Sequence, residues 1–116
     1  MRRSGSACAL ALAFAIGCCG IAKANTLVGV ITSYVSGNEG TDMSVRTADG
    51  HSHALWFDNL KKPLFEGKQL PWCPEFPCQG WPSQLVLGKT KVSVSVFTQH
   101  VSGATVVTPT KITLAP

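Results

Sequence analysis

Residues 43–58 read MSVRTADGHSHALWFD, two alternating runs on either side of Asp49-Gly50, and the register in which those runs pair decides the fold. Met43, Val45 and Thr47 alternate with Ser44, Arg46 and Ala48; His51, His53, Leu55 and Phe57 alternate with Ser52, Ala54 and Trp56. Alternation with period two marks half-buried strands, and Asp-Gly between them marks a hairpin. A strict two-residue turn sets Leu55 on the side of Ser44 and Phe57 opposite Asp42, which divides the apolar face. A three-residue loop, Ala48-Asp49-Gly50 with Gly50 left-handed in a bulge, sets Val45 against His53 and Met43 against Leu55, and so gathers the large apolar groups on one side. This second register is the expected one. It leaves Ser44, Arg46, Ser52, Ala54 and Trp56 on the opposite face.

Before this hairpin, Leu27 to Ser36 (LVGVITSYVS) is rich in β-branched residues and ends at Gly37-Asn38-Glu39-Gly40, a strand followed by a turn. Gly29 within it predicts a bulge or a sharp coil. After the hairpin, Asn59 to Gly88 loses periodicity and holds Pro63, Pro71, Pro74, Pro77 and Pro82, five of the seven prolines. An untied loop of that length is uncommon in a compact domain, and Cys73 and Cys78 offer the tie. Ser83 to Leu87 is expected to form a short helical turn ended by Gly88. Lys89 to Val101 returns to strict alternation of Val92, Val94 and Val96 against Ser93, Ser95 and Phe97; Ser102-Gly103 turns the chain; Ala104 to Leu114 is a last strand that Pro109 must interrupt or confine to an edge.

The first 24 residues read as an export signal: Arg2 and Arg3, the apolar run Ala7 to Ile16, and the small-x-small site Ala22-Lys23-Ala24. Gly17, Gly20 and Lys23 interrupt the run, which favours cleavage over a membrane anchor. Ala15-Ile16-Gly17-Cys18 resembles the bacterial lipobox, so a lipid anchor at Cys18 is the alternative to soluble export to the periplasm or medium. Three of the ten basic residues and three of the five cysteines (Cys8, Cys18, Cys19) lie in this segment, and all six acidic residues lie beyond it. The mature chain, 25–116, therefore has seven basic against six acidic residues and two cysteines. Such a nearly neutral chain lacks the cation density of a nucleic-acid binder. A domain of this size buries about 60 to 65% of its unfolded surface, a marginal core, and a Cys73 to Cys78 bridge in an oxidising compartment adds about 2 kcal/mol.

A long first strand, a tight hairpin, an irregular insertion and a second hairpin resemble the OB-fold. The glycine at Gly29 and the stretch Met43-x-Val45-x-Thr47-x-Asp49-Gly50 look like those of small exported bacterial OB proteins. The resemblance implies a five-stranded all-β barrel, with a Pro-rich disulfide loop between strands three and four where that family usually has a helix; a small β-sandwich is the alternative. It also implies a ligand site on the outer face of strands two and three, at Arg46 and Trp56, flanked by Asn38, Glu39 and Ser102. An exposed indole and a guanidinium suit a small molecule, a glycan or a protein partner.

Two further readings stand beside this one. Trp72, Phe76 and Trp81 surround the bridge, so the loop serves either as a rigid recognition or inhibitory element of an interaction subunit or as a lid on the barrel. His51 and His53 share one strand face and His100 could join them, the basis of a metal-binding alternative. No cofactor is implied. Neither a GxSxG elbow nor a phosphate-binding glycine loop is present, and the reading is of a non-enzymatic binding module.

Overall fold

The computed structural model describes residues 23–116, with side chains from Asn25 onward; most of the proposed export signal, including Cys18, lies outside them. The described chain is all-β: β1 (Lys23–Ser36), β2 (Gly40–Thr47), β3 (Ser52–Asp58), β4 (Leu64–Phe65), β5 (Lys68–Gln69), β6 (Lys91–Val101) and β7 (Ala104–Leu114). They form a single sheet in the order β3-β2-β1-β6-β7-β4-β5. β1 is shared along its length. Its first half pairs antiparallel with β6, from Lys23 opposite Thr98 to Val30 opposite Lys91, and its second half with β2, from Gly29 opposite Thr47 to Ser36 opposite Thr41.

The hairpin has the expected register, with Met43 opposite Leu55 and Val45 opposite His53. Gly50 carries φ of 88°, and its N–H donates to the Thr47 carbonyl at 2.9 Å. The loop is further tied by Asp49, whose carboxylate accepts from the Thr47 hydroxyl and the His51 N–H and meets His51 Nδ1 at 3.0 Å. Those hydrogen bonds, the Thr47 hydroxyl first, hold the Asp49 carboxyl well below the usual carboxylate range. Alternation then does what it predicts: Met43, Val45, Leu55, Phe57, Val92, Val94 and Val96 are buried together with Ile31, Tyr34 and Ile112.

Three expectations are corrected. The sheet has seven strands in place of five, because Asn59–Gly88 is not structureless: β4 and β5 form a small hairpin across Glu66 and Gly67, both at positive φ, and β4 joins β7 in parallel at Lys111 and Ile112. Among the described residues the barrel is not closed and no second sheet is present to make a sandwich; β3 and β7 lie side by side with no ladder between them. Ser83 to Leu87 forms no helical turn. Two tight turns, closed by Leu85 N–H to Pro82 O and Lys89 N–H to Val86 O, use its backbone groups instead, and Gly88 N–H donates to Ile31 O at 2.8 Å. Pro109 does not interrupt β7, and it falls at the expected edge, since the parallel β4 ladder reaches only Lys111 and Ile112 and leaves Pro109 paired on the β6 side alone. It sits opposite Val96 at a β-bulge, where its missing N–H breaks no regular ladder.

Gly29 does not itself form the bulge, which lies beyond it between Ile31 and Ser33. The glycine is needed for a different reason: a Cβ there would collide with the backbone carbonyl of Arg46, so β1 and β2 close on each other only without a side chain. Both bulges place a threonine whose hydroxyl donates to the facing strand, Thr32 to Ser44 O at 3.4 Å and Thr110 to Ser95 O at 3.2 Å.

The Cys73–Cys78 disulfide is formed, with Cα atoms 5.4 Å apart, and its loop caps one end of the sheet. Tyr34, 1% exposed, is the centre of the contact. Its ring lies 4.8 Å from Trp81, 6.0 Å from Phe57 and 6.5 Å from Phe76, and its hydroxyl donates to Pro71 O at 2.9 Å. Burial pushes the Tyr34 phenol pKa up. With the folded-state value above the unfolded value of about 10, the stability that depends on the neutral phenol is whole below about pH 10 and falls above it, by about 1.4 kcal/mol per pH unit. Because Tyr34 is the chain's single tyrosine, alkaline titration followed by phenolate absorbance is expected to show ionisation coinciding with unfolding, whereas Tyr34→Phe removes this component of the alkaline transition.

Candidate functional site

The turn between β1 and β2, Gly37–Glu39, is positioned by a chain of hydrogen bonds that runs in one direction through the molecule. Cys73 N–H donates to Ser36 Oγ at 2.9 Å; Ser36 and Thr41 hydroxyls meet at 2.9 Å; Thr41 Oγ1 donates to Asn59 Oδ1 at 2.8 Å; and Asn59 Nδ2 donates to Gly37 O at 2.8 Å. Since the Thr41 proton goes to Asn59, the Ser36 proton goes to Thr41, and each buried hydroxyl both gives and receives. Ser36 and Thr41 are 4% and 0% exposed, so an unmet partner here would be costly. The same Gly37 carbonyl accepts Trp72 Nε1 at 3.1 Å.

Trp72 thus leaves the disulfide lid to lie at one end of this turn, 51% exposed. At the other end is Trp56, 39% exposed, whose indole covers Gly40 so closely that a Cβ on that glycine would overlap the ring. Two half-exposed indoles are therefore anchored on one four-residue segment that also carries Asn38 and Glu39, both exposed. Beside Trp56, directly across the ladder, is the exposed Asp42. Trp56 and Asp42 line a groove of about 410 Å³ between β3 and β7, whose far wall is Thr105, Val106 and Val107. Ser102, at the tip of the β6–β7 hairpin, is exposed three residues before that wall. Flat apolar surface with carboxylate and hydroxyl acceptors at its margin, and no cation in the groove lining, suits a hydroxyl-rich ligand.

Arg46 is not brought to this place. It faces outward on the same strand pair, but four residues along from Asp42, about 14 Å away at strand spacing. It lines a different groove with Lys89 and Lys91. Phe76 and Trp81 are also elsewhere: their rings meet at 4.9 Å against Tyr34, Trp81 Nε1 donates to Leu85 O at 2.6 Å, and both side chains pack on the core in the manner of a lid. The histidines are held separately, His51 by Asp49, His53 by the Thr47 hydroxyl at 3.2 Å and His100 by Thr105 at 3.1 Å. Among the described residues no three His, Cys, Asp or Glu side chains converge on a metal position, and no helix is long and apolar enough to cross a membrane.

The partnership of Trp72 with the Gly37 turn, 35 residues apart in sequence, has no signal in the local pattern. Asp42 had one: it is the residue opposite Trp56 once the register is chosen. The chain matches no family model, no curated protein and no solved structure.

Proposed function

We propose that this protein is an exported, non-enzymatic binding module that takes a glycan on the surface around Gly37–Gly40, with Trp56 and Trp72 as stacking platforms and Asn38, Glu39 and Asp42 as hydrogen-bonding groups. The observation that carries this reading is the pair of half-exposed indoles fixed on one turn by a buried polar chain, because a pre-ordered aromatic surface loses little entropy on binding. The strand order supports an OB-like reading of the five long strands: β1 lies between β2 and β6, and β3 and β7 are the two that meet at the seam. In such folds that outer face is the ligand face. Export is supported by the leader-like first 24 residues and by a disulfide suited to an oxidising compartment.

A glycan array probed with the purified protein tests the proposal. Trp56→Ala and Trp72→Ala are each expected to weaken a captured glycan by about 5- to 150-fold, at about 1 to 3 kcal/mol per stacking contact by analogy with base stacking on aromatics. Gly40→Ala is the sharper variant, since its methyl displaces the Trp56 indole while leaving the chemistry of every polar group intact. It is expected to lower affinity with an unchanged circular dichroism spectrum. Capture that survives the Trp56→Ala, Trp72→Ala double variant would place the ligand elsewhere.

A further inference from the structure

Three cations from two segments line one groove of about 560 Å³: Arg46 on β2, and Lys89 and Lys91 in the turn before β6 and at its start. Their convergence follows from register. Val30 on β1 is opposite Arg46 on one side and Lys91 on the other, so the three residues form one row across three adjacent strands. Residues paired across a ladder share a face, and two strand spacings separate Arg46 from Lys91 by about 10 Å at the backbone, within reach of one bound group for two long side chains. Lys89 is held to the same place because Gly88 N–H donates to the carbonyl of Ile31, next to Val30, and Lys89 N–H to Val86 O.

No carboxylate lines this groove. Asp49, between the lining residues Ala48 and Gly50, is hydrogen-bonded to Thr47 and to His51. Arg46, Lys89 and Lys91 therefore line one groove with no carboxylate in its lining, together with Val28 and Val30, Val28 being 43% exposed. In a mature chain with only seven basic residues, three unneutralised on one concave surface form a local positive field that the near-zero net charge conceals.

We propose that this groove binds a phosphate monoester, with the Arg46 guanidinium fork on two oxygens and Lys89 and Lys91 as flanking charges. The site is independent of the Trp56 and Trp72 surface. The probe is inorganic phosphate, titrated into ¹⁵N-labelled protein. Saturable shifts are expected in the amides of Val28 to Val30, Arg46 and Lys89 to Lys91, and the Arg46→Ala, Lys91→Ala double variant is expected to weaken binding by about tenfold or more. Lys61→Ala with Lys62→Ala, a second adjacent basic pair outside the groove, is expected to leave it unchanged. Circular dichroism of both double variants reports on folding.

The source of the phosphate is read from a second arm, sedimentation with vesicles containing phosphatidic acid, whose headgroup is a phosphate monoester, against vesicles of phosphatidylcholine alone. Phosphate binding together with sedimentation on the anionic vesicles alone assigns the site to a lipid headgroup. Phosphate binding without sedimentation assigns it to a soluble phosphate ester. Shifts spread over all lysines, equal losses in the two double variants, or no phosphate response overturn the proposal.

Discussion

Tyr34→Ala is expected to lower the free energy of unfolding by about 3 to 5 kcal/mol, the range for removing a large aromatic from a packed core. The side chain is 1% exposed and touches Phe57 from the hairpin, Phe76 and Trp81 from the lid, and the carbonyl of Pro71 through its hydroxyl. Its deletion leaves a cavity where sheet and lid meet, and neither side can collapse into it, since the sheet is held by its ladders and the lid by the disulfide. In a domain with so small a core, that loss approaches the whole stability. Urea denaturation measures it, and Tyr34→Phe keeps the experiment informative if the alanine variant fails to fold. The phenylalanine variant retains the ring contacts, loses only the bond to Pro71 O, and is expected to cost about 1 kcal/mol.

The Cys73→Ser, Cys78→Ser double variant is expected to be less stable by about 2 to 5 kcal/mol, the lower end being the loop-closure entropy of so short a ring and the upper end the loss typical of small exported domains. The thermal midpoint should then fall by about 8 °C or more. Cys73 is wholly buried and its backbone is stitched to Ser36 in both directions, Cys73 N–H to Ser36 Oγ and Ser36 N–H to Cys73 O at 2.8 Å. Without the bridge, the lid must be ordered by those bonds, by the Trp72 and Trp81 indole hydrogen bonds and by packing on Tyr34. Trp72 hangs from the same segment, so on the proposed function the variant is also expected to bind its glycan more weakly at temperatures where it is still folded. Near-ultraviolet circular dichroism follows the lid, and glycan titration follows the site. Unchanged values of both would mean that the lid is held without its covalent tie.

The hairpin shows why some of this structure is readable without coordinates. Its register depends on which choice puts Met43, Val45, Leu55 and Phe57 on one side, a question of local alternation, and the observed pairing is the one that does so. Val92, Val94 and Val96 are legible on the same grounds. Asn59–Gly88 defeats such reading because two-residue strands are too short to show a period. The β4–β5 hairpin is betrayed only by Glu66-Gly67, a pair suited to a two-residue turn.

The candidate sites divide the same way. Alternation identifies Arg46 and Trp56 as outward-facing, yet they line different grooves, and each acquires its partners from chain segments distant in sequence. Trp72 reaches the Gly37 carbonyl across 35 residues, and Lys89 and Lys91 reach Arg46 across β1.

Taken alone, the amino-acid order determined an all-β chain, the hairpin register, the valine-lined core strand and the available disulfide, because each depends on neighbours in sequence: alternation, turn chemistry and cysteine spacing. Only the tertiary structure decided that the sheet stays open between β3 and β7, that Trp72 joins Trp56 at one turn, and that three cations gather around Val30. Those outcomes depend on which distant strands pair and in what register, and long-range pairing is set by the packing of the whole core.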